Sequence, residues 1–231
     1  MKPLGPIPDG FSAIDGELAI GGRKVSALVG DAGDTPLFVY SRALIDARMA
    51  QLRAAMPERL KIHYAMKANP FSPLLEHMAE LVDGLDIASG GEFAQAREAG
   101  FLPREISFAG PGKRDEELHL AIRAGVTINL ESANEAHRAL EAEQTLGVAP
   151  RLAIRVNPDF ELRGSGMKMG GGAKPFGVDQ TYVPALAKEI IAAGADWRGL
   201  HIYTGSQALD AEAIIEVQAN VLDLAARLSN E

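Results

Sequence analysis

The chain has 231 residues, 23 Lys+Arg against 31 Asp+Glu, a formal charge of −8, 47% hydrophobic residues and no cysteine. Without cysteine it carries no disulfide scaffold, thiolate metal site or sulfur nucleophile. The acidic balance argues against a nucleic-acid backbone as partner, since such binding rests on Lys and Arg neutralising phosphates, and leaves room for a small local anion site. No apolar run approaches the roughly 18 residues needed to cross a bilayer, and the opening residues lack the order of a secretory signal, so a cytoplasmic location is expected.

Residues 1–35 hold Pro3, Pro6, Pro8 and several glycines, with short apolar runs such as Glu17–Ile20. They read as strands or a loosely held arm, not as helix. From Thr35 a regular beat begins, in which a short β-rich run, a polar turn and an amphipathic stretch recur. Strands are predicted at Leu37–Tyr40, Ile62–Met66, Gly84–Ala88, Ile106–Ala109, Thr127–Leu130, Leu152–Val156 and Leu200–Tyr203. The spacing predicts a helix over Ser41–Met56, with Ile45, Met49, Leu52 and Met56 on one face behind a Ser41 cap. A second begins at a Ser72 cap followed by Pro73. The last places Ile214, Val217, Val221, Leu224 and Leu228 on one stripe. Gly84, Gly100, Gly125, Gly147 and Gly194 each follow a helical pattern, as helix-terminating glycines do.

Alternating βα units imply a parallel sheet, which a doubly wound sheet or a (β/α)8 barrel would satisfy. A doubly wound sheet usually has a Gly-rich turn after its first strand; here Lys67-Ala-Asn-Pro follows instead, which favours the barrel. A barrel takes about 250 residues, and six strand–helix units follow residue 60. The chain is therefore expected to be the N-terminal portion of a longer polypeptide.

Lys67 falls at the C-terminal end of an apolar strand, where barrel active sites are built. Burial beside Tyr64 and Met66 would penalise its charge and leave a nucleophilic amine that forms Schiff bases; the alternative is a strand-end lysine in solvent. The other strand ends are also polar or Gly-rich: Asp86-Ile-Ala-Ser89-Gly-Gly-Glu92, Phe108-Ala-Gly-Pro-Gly-Lys113, Asn129-Leu-Glu131-Ser132, Arg155-Val-Asn157-Pro158, and His201-Ile-Tyr203-Thr-Gly-Ser206-Gln207. Six polar loops on one rim are more than a scaffold requires.

These segments resemble the fold-type III pyridoxal-phosphate decarboxylases, the family of diaminopimelate, ornithine and arginine decarboxylases. Tyr64-Ala-Met-Lys67-Ala-Asn69 is similar to the family's Schiff-base lysine motif, Asp86–Glu92 to its second-strand motif, and Gly199–Gln207 to its sixth-strand motif. The likeness runs from about Thr35 to the last residue. Gly164–Gly177 is similar to the branch containing exosortase-associated decarboxylases and the carrier-protein glutamyl decarboxylase of aminoglycoside biosynthesis.

The resemblance implies an alanine-racemase-like α/β barrel, residues 36–231, incomplete at about six βα units, with residues 1–35 as an arm of a β-domain. It implies pyridoxal 5'-phosphate as cofactor, with Lys67 bonded to it, Asp86, Glu92 and Arg155 around the ring and its phenolic oxygen, and Ser206 donating to the phosphate. Asp86 and Arg155 could instead be a structural pair between neighbouring strands. Tyr203 stands where many relatives place a ring-stacking histidine; tyrosine can stack, but cannot serve as an imidazolium. His63, His77, His119 and His137 have no partner at metal spacing, and no metal is expected.

The family's phosphate loop after the seventh strand, its pyridinium-pairing glutamate, and the C-terminal residues that reach a partner subunit are missing, so this stretch is expected to hold the lysine but not a complete site. The implied reaction is decarboxylation of a free diamino or basic amino acid, or of a carrier-bound aminoacyl group, in a homodimer without nucleic acid or membrane. A non-decarboxylating pyridoxal-phosphate carrier and an inactive regulatory homologue are the alternatives. The glycines around Lys168 and Lys174 suit either a mobile lid or a disordered surface loop.

Overall fold

The computed structural model describes residues 10–162, 164, 167–168, 174–206 and 208–230. The chain divides into two compact units, residues 1–61 and 62–231.

In the first unit, β1 (Phe11–Ile14), β2 (Glu17–Ile20) and β3 (Arg23–Lys24) form an antiparallel meander. Helix α1 (Val25–Ala32) follows, where the proline and glycine content predicts none. Two local features account for it. The Glu17 carboxylate accepts from the Ser26 amide and hydroxyl at the first turn, and these bonds, the amide's foremost, hold that carboxyl below its usual pKa. Gly33, left-handed at φ 79°, closes the last turn onto the Val29 carbonyl. The strand predicted at Leu37–Tyr40 is absent: no ladder partner meets it among the described residues, and Phe38 is 84% exposed. Strand propensity cannot act without a neighbouring strand to pack against. Helix α2 (Arg42–Ala55) matches its prediction within a residue at each end, with Met49 buried.

The second unit is built on strands β4 (His63–Ala65), β5 (Gly84–Ile87), β6 (Ile106–Phe108), β7 (Thr127–Leu130), β8 (Arg151–Asn157) and β11 (Asp196–Ile202). All pair in parallel in strict chain order, β4-β5-β6-β7-β8-β11. A doubly wound sheet reverses its order at a switch point, whereas a barrel winds in one direction; the order here is the barrel's. The short β10 (Val178–Asp179) joins β8 beyond the end of the β7 ladder, and β9 (Met167–Lys168) pairs with β12 (Gly205–Ser206).

Between the strands run α3 (Ser72–Leu81), α4 (Gly90–Glu98), α5 (Asp115–Ala124), α6 (Ala133–Leu146), α7 (Val183–Ala192) and finally α8 (Ala211–Ser229). Leu85, Ile106, Phe108, Ile128, Leu130, Leu152 and Ile154 on the strands are almost wholly buried, as are Leu75, Leu118, Ile122 and Ile190 on the helices. That covered sheet is the core, and it drives the unit's folding by removing apolar surface from water.

Three local expectations are corrected. Ser72 is the first helical residue and Phe71 the cap, because Asn69 already turns the chain by accepting from the Phe71 amide. Gly84 is the first residue of β5, not a helix terminator; a side chain there would meet the Glu105 carbonyl at 2.4 Å, so packing selects the glycine. On α8 the buried residues are Ala213, Val217 and Leu224, while Ile214 stays exposed, so the stripe starts one position earlier than predicted. Among the described residues, no helix is long and apolar enough to cross a membrane.

Candidate functional site

The strand C-termini open into a cavity of about 220 Å³ lined by Lys67, Asp86, Glu92, Arg155, His201 and Tyr203, with small or apolar residues between them. Five of the six predicted site residues therefore meet in one place. Ser206 does not line it; it pairs through its backbone with Met167 in the β9–β12 ladder. Gln207 and much of Gly164–Gly177, including the Lys168 side chain, lie outside the described residues.

Lys67 differs from its prediction: it is exposed, not buried. Strand β4 stops at Ala65, and residues 66–68 tighten into a 3₁₀ turn closed by the Asn69 amide on the Met66 carbonyl. Met66 takes the buried position, with none of its surface exposed, and Lys67 is carried to the rim. Its amine is not loose there. Lys67 Nζ sits 4.8 Å from the centre of the Tyr203 ring, within the range where an aromatic face attracts a cation.

Asp86 and Glu92 flank the second loop. Asp86 Oδ1 lies 3.4 Å from His63 Nδ1 on the adjacent strand β4, diagonal to it in the β4–β5 ladder where Asp86 itself pairs with Ala65, so the partner is His63 and not the Arg155 of the structural alternative. Ser89 caps α4 by accepting from the Glu92 amide, and the Glu92 carboxylate reaches back to the Ala88 amide at 2.6 Å. The same device recurs one loop further on. Ser132 caps α6, and the Glu135 carboxylate accepts from the Glu131 amide at 2.7 Å.

Behind the cavity lies a buried charge cluster. Arg155 Nη1 donates to Glu131 Oε1 at 2.8 Å, with side chains 7% and 2% exposed. Glu131 also accepts from the Gly110 amide at 2.6 Å and, through its other oxygen, from the Gly177 amide at 2.8 Å. Lys113 Nζ bonds Glu135 at 3.0 Å and the carbonyls of Gly110 and Asn129. Burial pushes the Lys113 ammonium below the usual lysine range, and Glu135 opposes that shift.

The Arg155 guanidinium also lies 4.9 Å from the Phe176 ring and 5.9 Å from the Tyr203 ring. His201 is paired with Arg155 across β8 and β11. Burial, and then the Arg155 charge, push the imidazole down to about 4, so it is neutral at pH 7. Its Nδ1 is buried and has no hydrogen-bond partner among the described residues.

Sequence reading passed over Glu131, Glu135, Lys113, Phe176 and His201 as site residues. Lys113, Glu131 and His201 were legible only as polar strand-end residues, and Glu135 through the Ser132-x-x-Glu135 capping pattern. Which of them meet depends on which strand ends become neighbours.

The cavity offers an amine nucleophile, an aromatic face, a fixed guanidinium, two carboxylates and a ring nitrogen without a hydrogen-bond partner among the described residues. Such a set suits a flat, anionic, carbonyl-bearing heteroaromatic group. The comparisons with known proteins agree. Residues 42–230 match the family model described as pyridoxal-dependent decarboxylase, pyridoxal binding domain. The chain is 38% identical over 221 residues to the diaminopimelate decarboxylase of Aquifex aeolicus, covering 91% of this chain and 50% of that protein. To the L-glutamyl-[BtrI acyl-carrier protein] decarboxylase of Niallia circulans it is 34% identical over 193 residues, 83% of this chain and 45% of the relative. The crystal structure of Helicobacter pylori diaminopimelate decarboxylase complexed with L-lysine superposes with a TM-score of 0.80 at 28% identity, over 89% of this chain and 53% of that one. The chain spans about half the length of the curated relatives it matches. The chain belongs to the pyridoxal-dependent decarboxylases, with their pyridoxal-binding domain in residues 42–230.

Proposed function

We propose that this chain holds pyridoxal 5'-phosphate and serves the decarboxylation of an amino acid, either a free diamino or basic amino acid or an aminoacyl group on a carrier protein. The observation that carries the reading is the Lys67 amine held at the cavity mouth over the Tyr203 ring. Both substrate classes occur among relatives by name, diaminopimelate in one and a carrier-bound glutamyl group in another.

When bound, the cofactor supplies an aldehyde that condenses with amines and a ring that takes up electrons released as a carboxylate departs. Lys67 would hold the cofactor through its nucleophilic amine, and at the rim its Nζ is a group that can carry a proton. Tyr203 offers a flat face for stacking. Arg155 presents a fixed positive charge for an anionic oxygen. The Glu92 carboxylate is immobilised by the Ala88 amide, which makes it a placed acceptor, and Asp86 is steadied by His63. Ile87, Ala65, Ala88, Ala109 and Phe176 shield the cavity floor and wall from water. Ser206 is assigned to the phosphate on the family motif. A cytoplasmic homodimer whose second subunit completes the site, and residues 1–35 as an arm of a β-domain, belong to the same proposal.

The test is direct. Pyridoxal phosphate mixed with the chain should give a visible absorption band, and borohydride reduction should fix the added mass on the peptide containing Lys67. Lys67→Ala should lose both; retention of the band, or labelling elsewhere, would remove Lys67 from this role. Release of CO2 from candidate amino acids by the full-length gene product separates decarboxylation from mere cofactor carriage.

A further inference from the structure

Glu131 does not line the cavity, yet it touches what does. Its carboxylate is pinned by two backbone amides, Gly110 in the loop just after β6 and Gly177 beside Phe176, so neither oxygen is free to rotate away. Onto this fixed anion the Arg155 guanidinium docks at 2.8 Å, with the ring centres of Phe176 and Tyr203 4.9 and 5.9 Å from it. A buried ion pair adds little net stability, because desolvating both charges offsets most of their attraction. What this one achieves is direction, since a long flexible side chain is confined to one orientation along the cavity wall.

We propose that Glu131 is a positioning residue: a rigid carboxylate that aims the Arg155 guanidinium into the cavity. The inference rests on the reading of that cavity as a pyridoxal-phosphate site. The role depends on charge and not on shape. An amide of the same size would turn an N–H toward Arg155 or Gly177, both of which are donors, and would leave the guanidinium without its counter-ion. A shorter carboxylate would keep the charge.

Two measurements on the intact chain test this. In nitrogen-detected NMR, the Arg155 guanidinium should show hindered rotation, lost in Glu131→Gln and kept in Glu131→Asp. Persistence of the hindered signal in Glu131→Gln would overturn the proposal without any cofactor being added. In titrations with pyridoxal phosphate followed by its lysine-dependent band, Glu131→Gln should bind about tenfold more weakly, the loss expected for one charge-assisted hydrogen bond, with Glu131→Asp in between. If the carboxylate were only a steric filler, the isosteric Gln would outperform Asp; if it merely quenched excess positive charge, Glu131→Gln would bind more tightly than the parent. Either order sinks the idea.

Should Glu131→Gln fail to fold, the double variant Glu131→Gln/Arg155→Met, which leaves no buried charge unpaired, is compared with Arg155→Met alone. Equal affinities are expected because Glu131 acts through Arg155, and a further loss in the double variant overturns the proposal. A parent chain that shows the NMR signature but gives no lysine-dependent band would refute the cofactor reading and leave the clamp standing.

Discussion

His201 and Arg155 face each other across the β8–β11 ladder, so an imidazole and a guanidinium share one side of the sheet. With Glu131 just beyond the end of β7, three neighbouring strands present an anion, a cation and a neutral ring in one row. The charge that lowers the imidazole's basicity is thus set by strand register, and a pH dependence follows.

The folded His201 titrates at about 4 against 6.5 for an ordinary histidine. Its native pKa is the lower one, so the unfolded chain binds more protons between these values and stability rises with pH there. The contribution is complete above about pH 6.5 and disappears as pH falls towards 4. A shift of this size corresponds to about 3 kcal/mol. His201→Gln should flatten the pH 4–6.5 portion of the stability curve measured by denaturant unfolding. An unchanged slope would show that the imidazole is not held neutral.

Lys113 and Glu135 form a pair with side chains 1% and 5% exposed. Lys113→Met strands a buried carboxylate and should cost about 3–5 kcal/mol. Adding Glu135→Gln, which keeps an acceptor for the Glu131 amide, should recover most of that loss. Urea midpoints of the four proteins in the cycle provide the check; additive losses would mean the two side chains are energetically independent.

Gly177 has φ of +78°, and a side chain there would lie 2.8 Å from the Arg155 carbonyl and 3.0 Å from the Asn157 amide nitrogen. Backbone on both sides cannot yield cheaply. Gly177→Ala should destabilise the chain by about 1–3 kcal/mol and weaken pyridoxal-phosphate binding by displacing Phe176. Thermal unfolding and cofactor titration together test it, and a variant with parental values in both would show that the loop relocates freely.

Ser89 and Ser132 each cap a helix, α4 and α6, by accepting from the amide of the glutamate three residues on. Replacing either with Ala should cost about 1 kcal/mol. The consequences should nonetheless differ. Ser89→Ala loosens Glu92, which lines the cavity, whereas Ser132→Ala loosens Glu135, which does not. Cofactor affinity should therefore fall more for Ser89→Ala at equal loss of stability.

Much of the barrel was legible because its rules are local. Apolar runs of four or five residues and amphipathic helices mark each βα unit within a short window, Gly125 and Gly147 end two of the helices, and the structure places all six predicted strands after residue 60 within a few residues of expectation. The first unit was less legible: α1 depends on Glu17, nine residues before Ser26, accepting at its first turn, and among the described residues no strand pairs with Leu37–Tyr40.

The sequence alone determined which residue types stand at the strand ends, and so which chemistry is on offer: amines, a guanidinium, carboxylates, an imidazole and a phenol. Only the tertiary structure decided which of them act together. Lys67 reaches the rim because β4 ends in a tight turn, Asp86 pairs with His63 instead of Arg155, and Glu131 takes Arg155 because their strands are neighbours. Ion pairing and pKa shifts depend on distance and burial in space, and a linear chain encodes those only through the register of the sheet it folds into.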